Sequence, residues 1–523
     1  MRKAERFIRL LAFTATPILA WLALPGKFSI WPLLFVCLVP LFSFLSSARN
    51  YKGAFSRGLV SGILLYLLQI YWIVPVLIQF GGLPYYLAVP ALLLLVFYMS
   101  LYLAVFSAGF FLMQREGRFF FFLIGVPSAW VGLDWLRSWL FSGFPWLDIG
   151  YGFWSLPGLL QAADLFGHYG FTFVIVLVNC LIHVFVAREF SVLQRYRGVL
   201  AVLVLAALVG GYSLSRWKAI DKVVTQSPSA MIGIVQGNIE QGLKWSPAQR
   251  QRTVQNYIKL SELLLAKQSP TLVLWPETAL PFYPRNNPLL FPIADFVQKR
   301  KINLLTGAPW YELEQDQNQR LINYFNGALL MGPDGTFHGS YFKSHLVPYG
   351  EYVPLNRYLP FLSPLVEAAG NFTPGSVEQP LVAGDIKAGV LICFESIFAS
   401  IPRAWVDSGA NVLVNLTNDA WYGKSSAPYQ SWAMTVYRAV ETRRSVVRSA
   451  NTGISGLIDP LGRIRSESEL FVTWSEAFEV PLLEERTIFV QWGYLFAPVC
   501  LGLAVLIGLF GLMRPQRRGR LVL

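Results

Sequence analysis

Residues 388–396 read AGVLICFES, an apolar run of strand length that ends abruptly in a cysteine and a glutamate. Residues 388–392 have the composition of a buried strand. Cys393 is the first residue after them, and Glu395 follows two positions later. In folds built on parallel strands, chemistry collects just beyond the carboxyl ends of the strands. The stretch therefore predicts a buried strand that presents Cys393 at its end.

The sequence around this stretch alternates between strand-like and helix-like segments. Apolar runs of strand type occupy 230–236, 271–275, 303–306 and 411–415, and segments with helical spacing of apolar residues occupy 249–267 and 291–300. This alternation predicts an α/β sandwich or a doubly wound sheet for residues 216–489.

Two other segments end in residues that could activate a cysteine. Glu277 stands in WPET (275–278), directly after a strand-like run, and Lys343 stands in YFKSH (341–345). A thiol becomes a good nucleophile only after it loses its proton, and a buried carboxylate can accept that proton. An ammonium group can favour the thiolate and then stabilise the oxyanion that forms when it attacks a carbonyl. The three strand ends therefore predict a base, a cation and a nucleophile for acyl chemistry through a thioester.

The rest of the chain has the composition of a membrane protein. Apolar residues make up 54% and charged residues 14% of its 523 residues, and the mean hydropathy is +0.46. Eight apolar segments are long enough to span a bilayer, at 7–25, 28–46, 56–79, 84–112, 119–141, 165–187, 197–215 and 490–513. The first follows a basic start, as a signal peptide would, but seven further segments favour an anchor that is retained.

The basic residues predict how these segments are oriented. The net charge is +13, yet residues 216–490 carry 25 Lys and Arg against 24 Asp and Glu. The excess therefore lies in the membrane part, which argues against nucleic acid as a partner. Most of its basic side chains fall at the termini and in every second short loop, whereas the other short loops have Lys27 and almost nothing else basic; those on the first side are Arg2, Lys3, Arg6, Arg49, Lys52, Arg57, Arg115, Arg118, Arg188, Arg195, Arg197, Arg514, Arg517, Arg518 and Arg520. Because these lie at the termini and in alternate short loops, both termini are expected in the cytoplasm and residues 216–489 outside it.

These patterns divide the chain into three parts. They predict an α-helical membrane domain of seven spans at 1–215, an inserted α/β domain at 216–489, and an eighth span with a basic tail at 490–523. In the fifth span Asp134 and Arg137 are three residues apart, so a helix places them on one face. They are expected to form an ion pair or to contact a lipid headgroup.

Cys393 stands apart from the other cysteines in this division. Cys37, Cys180 and Cys500 lie in apolar segments, whereas Cys393 lies in the polar part. The four cysteines and four histidines show neither a disulfide framework nor a metal-ligand spacing. No metal site and no cofactor are predicted.

In this order the three motifs resemble the nitrilase, or carbon–nitrogen hydrolase, superfamily, which has an α-β-β-α sandwich fold and a Glu-Lys-Cys triad. Inserted before the last of eight spans, such a domain resembles the bacterial apolipoprotein N-acyltransferases in particular. The similarity extends over essentially the whole chain and includes PYGEYVP (348–354) and NLTNDAW (415–421). By this resemblance Glu277 would be the general base, Lys343 the cation that stabilises the oxyanion, and Cys393 the nucleophile.

The resemblance also implies roles for residues around the triad. Glu351 would orient the lysine, and Glu395 would support the active site. Trp245 would lie on a loop that shapes substrate entry. Phe394 stands where family members commonly have tyrosine, so it is expected to pack against substrate and not to transfer a proton.

The same resemblance implies the reaction and its partners. Cys393 would take a fatty acyl chain from a membrane phospholipid and pass it to the N-terminal amine of the diacylglyceryl-cysteine of an apolipoprotein. The enzyme would lie in the bacterial inner membrane with its catalytic domain in the periplasm. The segment 355–366 is apolar but interrupted by two prolines, so it is expected to form a loop that contacts lipid.

Two other functions are open at this stage. In a membrane-anchored amidase, water would resolve the acyl-enzyme. A transporter or an assembly scaffold would carry an inactive enzyme domain. The complete triad and the scarcity of ionisable residues in the apolar segments disfavour the scaffold and the transporter.

Overall fold

The structure combines a set of apolar helices with an α/β sandwich. It is a computed structural model and describes residues 2–188, 190–242, 244, 246–316, 319–352 and 371–513. Trp245, the predicted lipid loop at 355–366 and the basic residues of the tail lie outside the described residues.

The helices follow one another along the chain with the sandwich inserted late. They are α1 (Arg2–Ala23), α2 (Val39–Ser46), α3 (Tyr51–Ile70), α4 (Ile73–Gln79), α5 (Tyr85–Arg115), α6 (Phe119–Arg137), α7 (Pro157–Leu160), α8 (Ala163–Ala187), α9 (Val192–Gln226), α10 (Pro247–Leu265), α11 (Leu290–Arg300), α12 (Ser400–Asp407), α13 (Ala427–Thr442), α14 (Ile488–Gln491) and α15 (Phe496–Met513).

Six of the described helical segments are long and apolar enough to cross a membrane, where the sequence predicted eight spans. They are Tyr51–Ile70, Tyr85–Arg115, Phe119–Arg137, Ala163–Ala187, Val192–Gln226 and Gly493–Phe510. Two shorter apolar segments, Phe13–Ala23 and Trp31–Ser46, correspond to the first and second predicted spans. The protein is therefore a membrane protein with several apolar helices.

Breaks in the helices explain where the predicted spans differ from the structure. The second predicted span divides into a 3-10 turn, Trp31–Phe35, and α2, each with a proline in its first turn, where the missing N–H is tolerated. The third predicted span is interrupted between α3 and α4. Conversely, α9 continues to Gln226, past the predicted end of the seventh span at residue 215.

The strands form two six-stranded sheets among the described residues. They are β1 (Ser229–Gln236), β2 (Leu272–Leu274), β3 (Asn303–Asp316), β4 (Gln319–Met331), β5 (Phe337–Phe342), β6 (Leu381–Ala383), β7 (Ile386–Ile392), β8 (Val412–Thr417), β9 (Ser445–Ala450), β10 (Gly456–Ile458), β11 (Ile464–Glu467) and β12 (Trp474–Pro481). The first sheet has the order β12-β1-β2-β3-β4-β5 and the second the order β11-β10-β9-β8-β7-β6. In each sheet three central strands are parallel, β1-β2-β3 and β7-β8-β9.

The two sheets pack face to face between layers of helices. Apolar side chains of β2 and β7, such as Leu274 and Val390, belong to one buried core between the sheets. Val273 and Trp275 point the other way and pack with α10 and α11. Trp405 of α12 and Val440 of α13 cover the outer face of the second sheet. The predicted α/β fold is confirmed, and of the two architectures that the sequence left open the structure has the sandwich.

The sandwich is joined to the membrane helices through α13. This helix lies between the second sheet and α8 and is buried along its length except at Tyr429. Tyr437 of α13 donates a hydrogen bond to the main-chain oxygen of Gly150, and its ring packs on that of Tyr151 at 5.1 Å. The second sheet, which carries Cys393, is therefore the sheet that contacts the membrane part.

Candidate active site

Cys393 occupies a sharp turn at the end of β7. Its φ is 55°, a value that side chains other than glycine seldom adopt, and it opens a 3-10 turn, Cys393–Ile397. The Asn415 side chain on β8 donates to the main-chain oxygens of Leu391 (3.0 Å) and Cys393 (3.1 Å) and so holds the turn. Strained backbone of this kind persists where the surroundings over-determine it, often at functional sites. The turn projects the thiol from the strand end as the sequence predicted.

Lys343 and Glu351 form a buried ion pair across from the cysteine. Lys343 follows β5, and its Nζ lies 2.8 Å from Oε2 of Glu351. The same carboxylate oxygen accepts the main-chain N–H of Val347 at 2.8 Å. Burial opposes the charge of Lys343, but the nearby carboxylates of Glu351 and Glu277 and the Cys393 thiol outweigh it and raise the pKa of the lysine. Lys343 therefore stays a cation.

Asn326 joins the two glutamates, and it was missed from the sequence. Its Nδ2 donates to Oε1 of Glu277 and to Oε1 of Glu351, each at 2.8 Å. Its main-chain oxygen accepts the N–H of Lys343 at 2.9 Å. The residues of the triad were found because each follows an apolar run, whereas Asn326 lies inside the long strand β4. Its polar amide among apolar neighbours is the feature of the sequence that could have indicated it.

Glu277 has the environment of a base with a raised pKa. It follows β2, and its Oε2 has no hydrogen-bond partner among the described residues. Burial raises the pKa of Glu277, and the Glu351 carboxylate adds to this, whereas Lys343 and Asn326 oppose it. Burial also raises the pKa of the Cys393 thiol, with the charge of Glu277 acting in the same direction and Lys343 against it. The thiol is therefore neutral at rest and needs a base at the moment of attack.

Glu395 connects the cysteine turn to the lysine strand. It is fully buried, and its Oε2 accepts the N–H of Ile392 at 2.7 Å. Its Oε1 accepts the main-chain N–H groups of Ser344 (2.8 Å) and His345 (3.1 Å) and the Tyr341 hydroxyl (2.8 Å). Burial raises the pKa of Glu395, which these hydrogen bonds oppose. One carboxylate thus fixes the spacing between the ends of β5 and β7.

Phe394 packs beside the lysine. The Nζ of Lys343 lies 5.0 Å from the centre of the Phe394 ring, within the range of a cation–π contact. The ring also packs on Phe398 at 5.2 Å. The structure therefore brings together six of the seven predicted site residues, and the seventh, Trp245, lies outside the described part of the chain.

Lys244 is a second lysine near Glu277, and it was not singled out from the sequence. It is fully buried, and its Nζ lies 3.5 Å from the main-chain oxygen of Glu277. Burial lowers the pKa of Lys244 to about 8, which the charge of Glu277 partly opposes. The sequence carried no signal for this, because a single lysine in a loop is ordinarily solvated.

The site lies close to the membrane helices. Tyr422, shortly after β8, packs on Trp72 between α3 and α4, with ring centres 5.1 Å apart. The next ring along the loop, Trp421, packs on Phe80 at 4.9 Å. Thr417, the last residue of β8, also bonds through its side chain to Cys393. Aromatic residues of the membrane part therefore pack against the loop that borders the nucleophile.

Two family models match different parts of the chain. The model described as the apolipoprotein N-acyltransferase N-terminal domain matches residues 17–181, and the carbon-nitrogen hydrolase model matches residues 231–473. An apolipoprotein N-acyltransferase of Geobacter metallireducens is 37% identical over 95% of this chain and 94% of its own length. The chain belongs to the apolipoprotein N-acyltransferase family. The apolipoprotein N-acyltransferase of Methylococcus capsulatus is 32% identical over 81% of this chain and 80% of its own length. That of Bdellovibrio bacteriovorus is 31% identical over 93% of this chain and 91% of its own length.

Solved structures similar to this member of the apolipoprotein N-acyltransferase family cover about half of the chain. An amidase from a Nesterenkonia species is 19% identical, with 50% of this chain and 92% of that chain covered and a TM-score of 0.36. A carbon-nitrogen hydrolase from Helicobacter pylori is 17% identical, with 52% and 92% covered and a TM-score of 0.35. Membership of the family rests on the relatives, and it confirms both the predicted resemblance and the prediction that the chain is an acyltransferase.

Proposed function

We propose that the protein transfers a fatty acyl chain from a membrane phospholipid to the N-terminal amine of a diacylglyceryl-modified apolipoprotein, through a thioester on Cys393. The observation that carries this proposal is the single buried cluster of Glu277, Lys343 and Cys393. It combines a base of raised pKa, a permanent cation and a strained cysteine. The names of the relatives supply the acceptor class, and the nearby membrane helices favour a lipid donor.

In the first half-reaction Glu277 accepts the proton of Cys393 as the sulfur attacks the ester carbonyl of the phospholipid. The cation of Lys343 stabilises the oxyanion of the tetrahedral intermediate. The carbon–oxygen bond to glycerol then breaks, and Glu277 returns the proton to the departing alkoxide. The products are a lysophospholipid and an acyl chain held as a thioester, with Glu277 ionised again.

In the second half-reaction the neutral amine of the acceptor attacks the thioester. Glu277 accepts a proton from the attacking nitrogen and passes it to the sulfur as the carbon–sulfur bond breaks. An amide forms, and Cys393 recovers its proton. Glu351 and Asn326 serve both halves by holding Lys343 and Glu277 at fixed positions, and Glu395 holds the two strand ends together.

The membrane arrangement belongs to the same proposal. We infer eight spans in the inner membrane, the two shorter apolar segments completing the six long ones, with both termini cytoplasmic. The division into a membrane domain at 1–215, a periplasmic catalytic domain at 216–489 and a final span with its tail at 490–523 follows. The supporting observation is the distribution of basic residues in the short loops. In spheroplasts, an impermeant maleimide should label Lys267→Cys and spare Arg115→Cys; the opposite pattern would reverse the orientation.

A transfer assay tests the function. The purified full chain in vesicles that contain acyl-labelled phospholipid is given a diacylglyceryl lipopeptide with a free N-terminal amine. The expected product is the lipopeptide heavier by one acyl chain in amide linkage, together with lysophospholipid. Label that appears only as free fatty acid would instead indicate the amidase-like reaction with water, and the proposed transfer would be rejected.

A further inference from the structure

The two buried lysines of the active site have different surroundings. Lys343 has a carboxylate 2.8 Å from its Nζ. Lys244 is equally buried, but its one described hydrogen bond is the 3.5 Å contact with the main-chain oxygen of Glu277. An ammonium group has three donors and is poorly stabilised by one long contact with a neutral oxygen. The surroundings of Lys343 therefore favour the charged form, and those of Lys244 favour the neutral form.

The loop that carries Lys244 is fixed to the strand ends of the second sheet. The Gln241 side chain accepts a hydrogen bond from Asn418 at 2.6 Å, and Asn418 directly follows β8. Nearby, the Ile239 N–H donates to the Asn451 side chain at 2.9 Å. Lys244 thus lies among the strand ends that present Glu277 and the nucleophile, and not on the outer surface of the sandwich.

The second half-reaction removes one more proton than Glu277 carries, and that proton goes to solvent or to another side chain. The acceptor amine is an ammonium ion near neutral pH, and its nitrogen must lose two protons to become an amide. Glu277 carries one of them to the sulfur of Cys393. The other has to leave the nitrogen before attack, because an ammonium ion has no lone pair. The first half-reaction has no such requirement, since the proton of Cys393 ends on the leaving alkoxide.

We propose that Lys244 acts as a further base in the second half-reaction: its neutral amine accepts the surplus proton of the acceptor's ammonium group and later releases it to water. This assignment rests on the function proposed above. The nitrogen of the acceptor becomes neutral, Lys244 becomes an ammonium ion beside Glu277, and the charge of the site is restored when Lys244 loses the proton to solvent.

The acid strengths of donor and acceptor suit this transfer. The pKa of a peptide α-amino group is about 8, and burial lowers the pKa of Lys244 to about 8 as well. Near pH 8 about half of each group is neutral, and proton transfer between groups of matched pKa is close to thermoneutral, whereas an ordinary lysine would remain protonated. Among the described residues, the charged group that faces Lys244 is Glu277, which is itself faced by Lys343 and Glu351.

The test separates the two half-reactions in Lys244→Met and Lys244→Gln, with Lys259→Met as the control. Lys259 is an exposed lysine on α10. Thioester formation from acyl-labelled phospholipid should change less than about twofold in both variants. At pH 7, transfer from the thioester to a diacylglyceryl lipopeptide should fall about tenfold, because without Lys244 only the roughly one tenth of the α-amine that is already neutral can attack. The control should match the unmodified protein in both steps.

A low-pKa acceptor provides the decisive comparison. The aminooxy analogue of the same lipopeptide is uncharged at neutral pH and has no surplus proton, so the variants should transfer to it at the rate of the unmodified protein. An equal loss with both acceptors, or no loss with either, would overturn the assignment. Failure of both variants to form the thioester would also overturn it, because Lys244 would then be needed before the amine arrives. If the unmodified protein forms no thioester, the function proposed above fails instead.

Discussion

Two buried charged clusters, an interface cluster around Arg443 after α13 and the active-site cluster at the strand ends, differ in how completely their polar atoms are paired. In the interface cluster, Arg443 after α13 uses all five of its N–H groups, bonding to Asp164, Gln161 and the main-chain oxygen of Pro460. In the active-site cluster, Oε2 of Glu277 has no described partner and Lys244 has one long contact.

The difference reflects what each cluster does. Asp164 lies on α8 and also accepts hydrogen bonds from Arg216 (2.8 Å) and Tyr212 (2.8 Å) of α9, so the interface cluster ties the membrane helices to the sandwich. Fully paired buried charges hold neighbouring elements together, because removal of one partner leaves the other buried without a counter-charge. Incompletely paired groups keep shifted pKa values and room for a substrate. Substitutions in the two clusters should therefore affect different measurements.

The largest effect is expected for Cys393→Ser. Loss of the sulfur removes the acyl carrier, so transfer should fall by about 10⁴-fold or more, while the unfolding temperature changes little. Cys500→Ser, a buried cysteine of the membrane part, is the control and should transfer normally. Transfer retained by Cys393→Ser would place the acyl carrier elsewhere.

Glu277→Gln should lower thioester formation by about 10²- to 10⁴-fold, because the amide keeps the hydrogen bond from Asn326 but cannot accept a proton. In the unmodified protein the carboxylate form is required, and its pKa is raised. Activity should therefore be lost as the pH falls through that raised pKa, at a higher pH than for an ordinary glutamate. A pH–rate profile with no such acid limb would contradict the assignment of the base.

Glu277→Gln should also change the stability of the protein. A carboxyl group whose pKa is raised on folding stabilises the folded state while it is protonated, and this contribution is lost as the pH rises through the raised value. Above the raised pKa the buried charge of Glu277 therefore works against folding. The unfolding temperature of Glu277→Gln should rise relative to that of the unmodified protein as the pH increases through that value, and the advantage should shrink toward acidic pH.

Arg443→Met should show the reverse pattern. It leaves Asp164 buried without its main partner, so the free energy of unfolding should fall by about 3–5 kcal/mol, measured by thermal unfolding in detergent. Arg486, half-exposed and paired with Asp407 at 3.2 Å, is the matched control. Arg486→Met should change stability by about 1 kcal/mol or less. Equal effects of the two substitutions would mean that the interface cluster does not hold the sandwich to the helices.

Phe394→Leu is expected to have the smallest effect. It removes the cation–π contact with Lys343, which contributes about 0.5–2 kcal/mol, and so should slow thioester formation by up to about 30-fold. Phe394→Tyr keeps the ring and should stay close to the unmodified rate. A loss in Phe394→Tyr as large as that in Phe394→Leu would show that the contact with the lysine is not what matters there.

The strand ends of the site could be predicted from the sequence, whereas the links between them could not. Glu277, Lys343 and Cys393 each follow an apolar run, and that local pattern is sufficient to find them. Asn326 lies within a strand and acts through side chains at distant positions. The pairing of Asp164 with Arg443 joins residues 279 positions apart, and no local pattern reports it.

The positions of the membrane helices could likewise be predicted from the sequence, whereas the breaks within them could not. Apolar length located the segments, but the breaks after Ile70 and around α2 depend on packing against neighbouring helices and on prolines at helix starts. The depressed pKa of Lys244 is a property of complete burial, which the sequence of a loop does not express.

A chase experiment on the acyl-enzyme tests whether Cys393 carries the acyl chain from the phospholipid to the amine. The full chain is acylated with labelled phospholipid, freed of excess donor, and mixed with a diacylglyceryl lipopeptide while the label on Cys393 is followed. The label is expected to leave Cys393 and to appear as an amide on the lipopeptide in a single turnover. Label that stays on the protein, or that leaves it only as free fatty acid, would contradict acyl transfer through the Cys393 thioester.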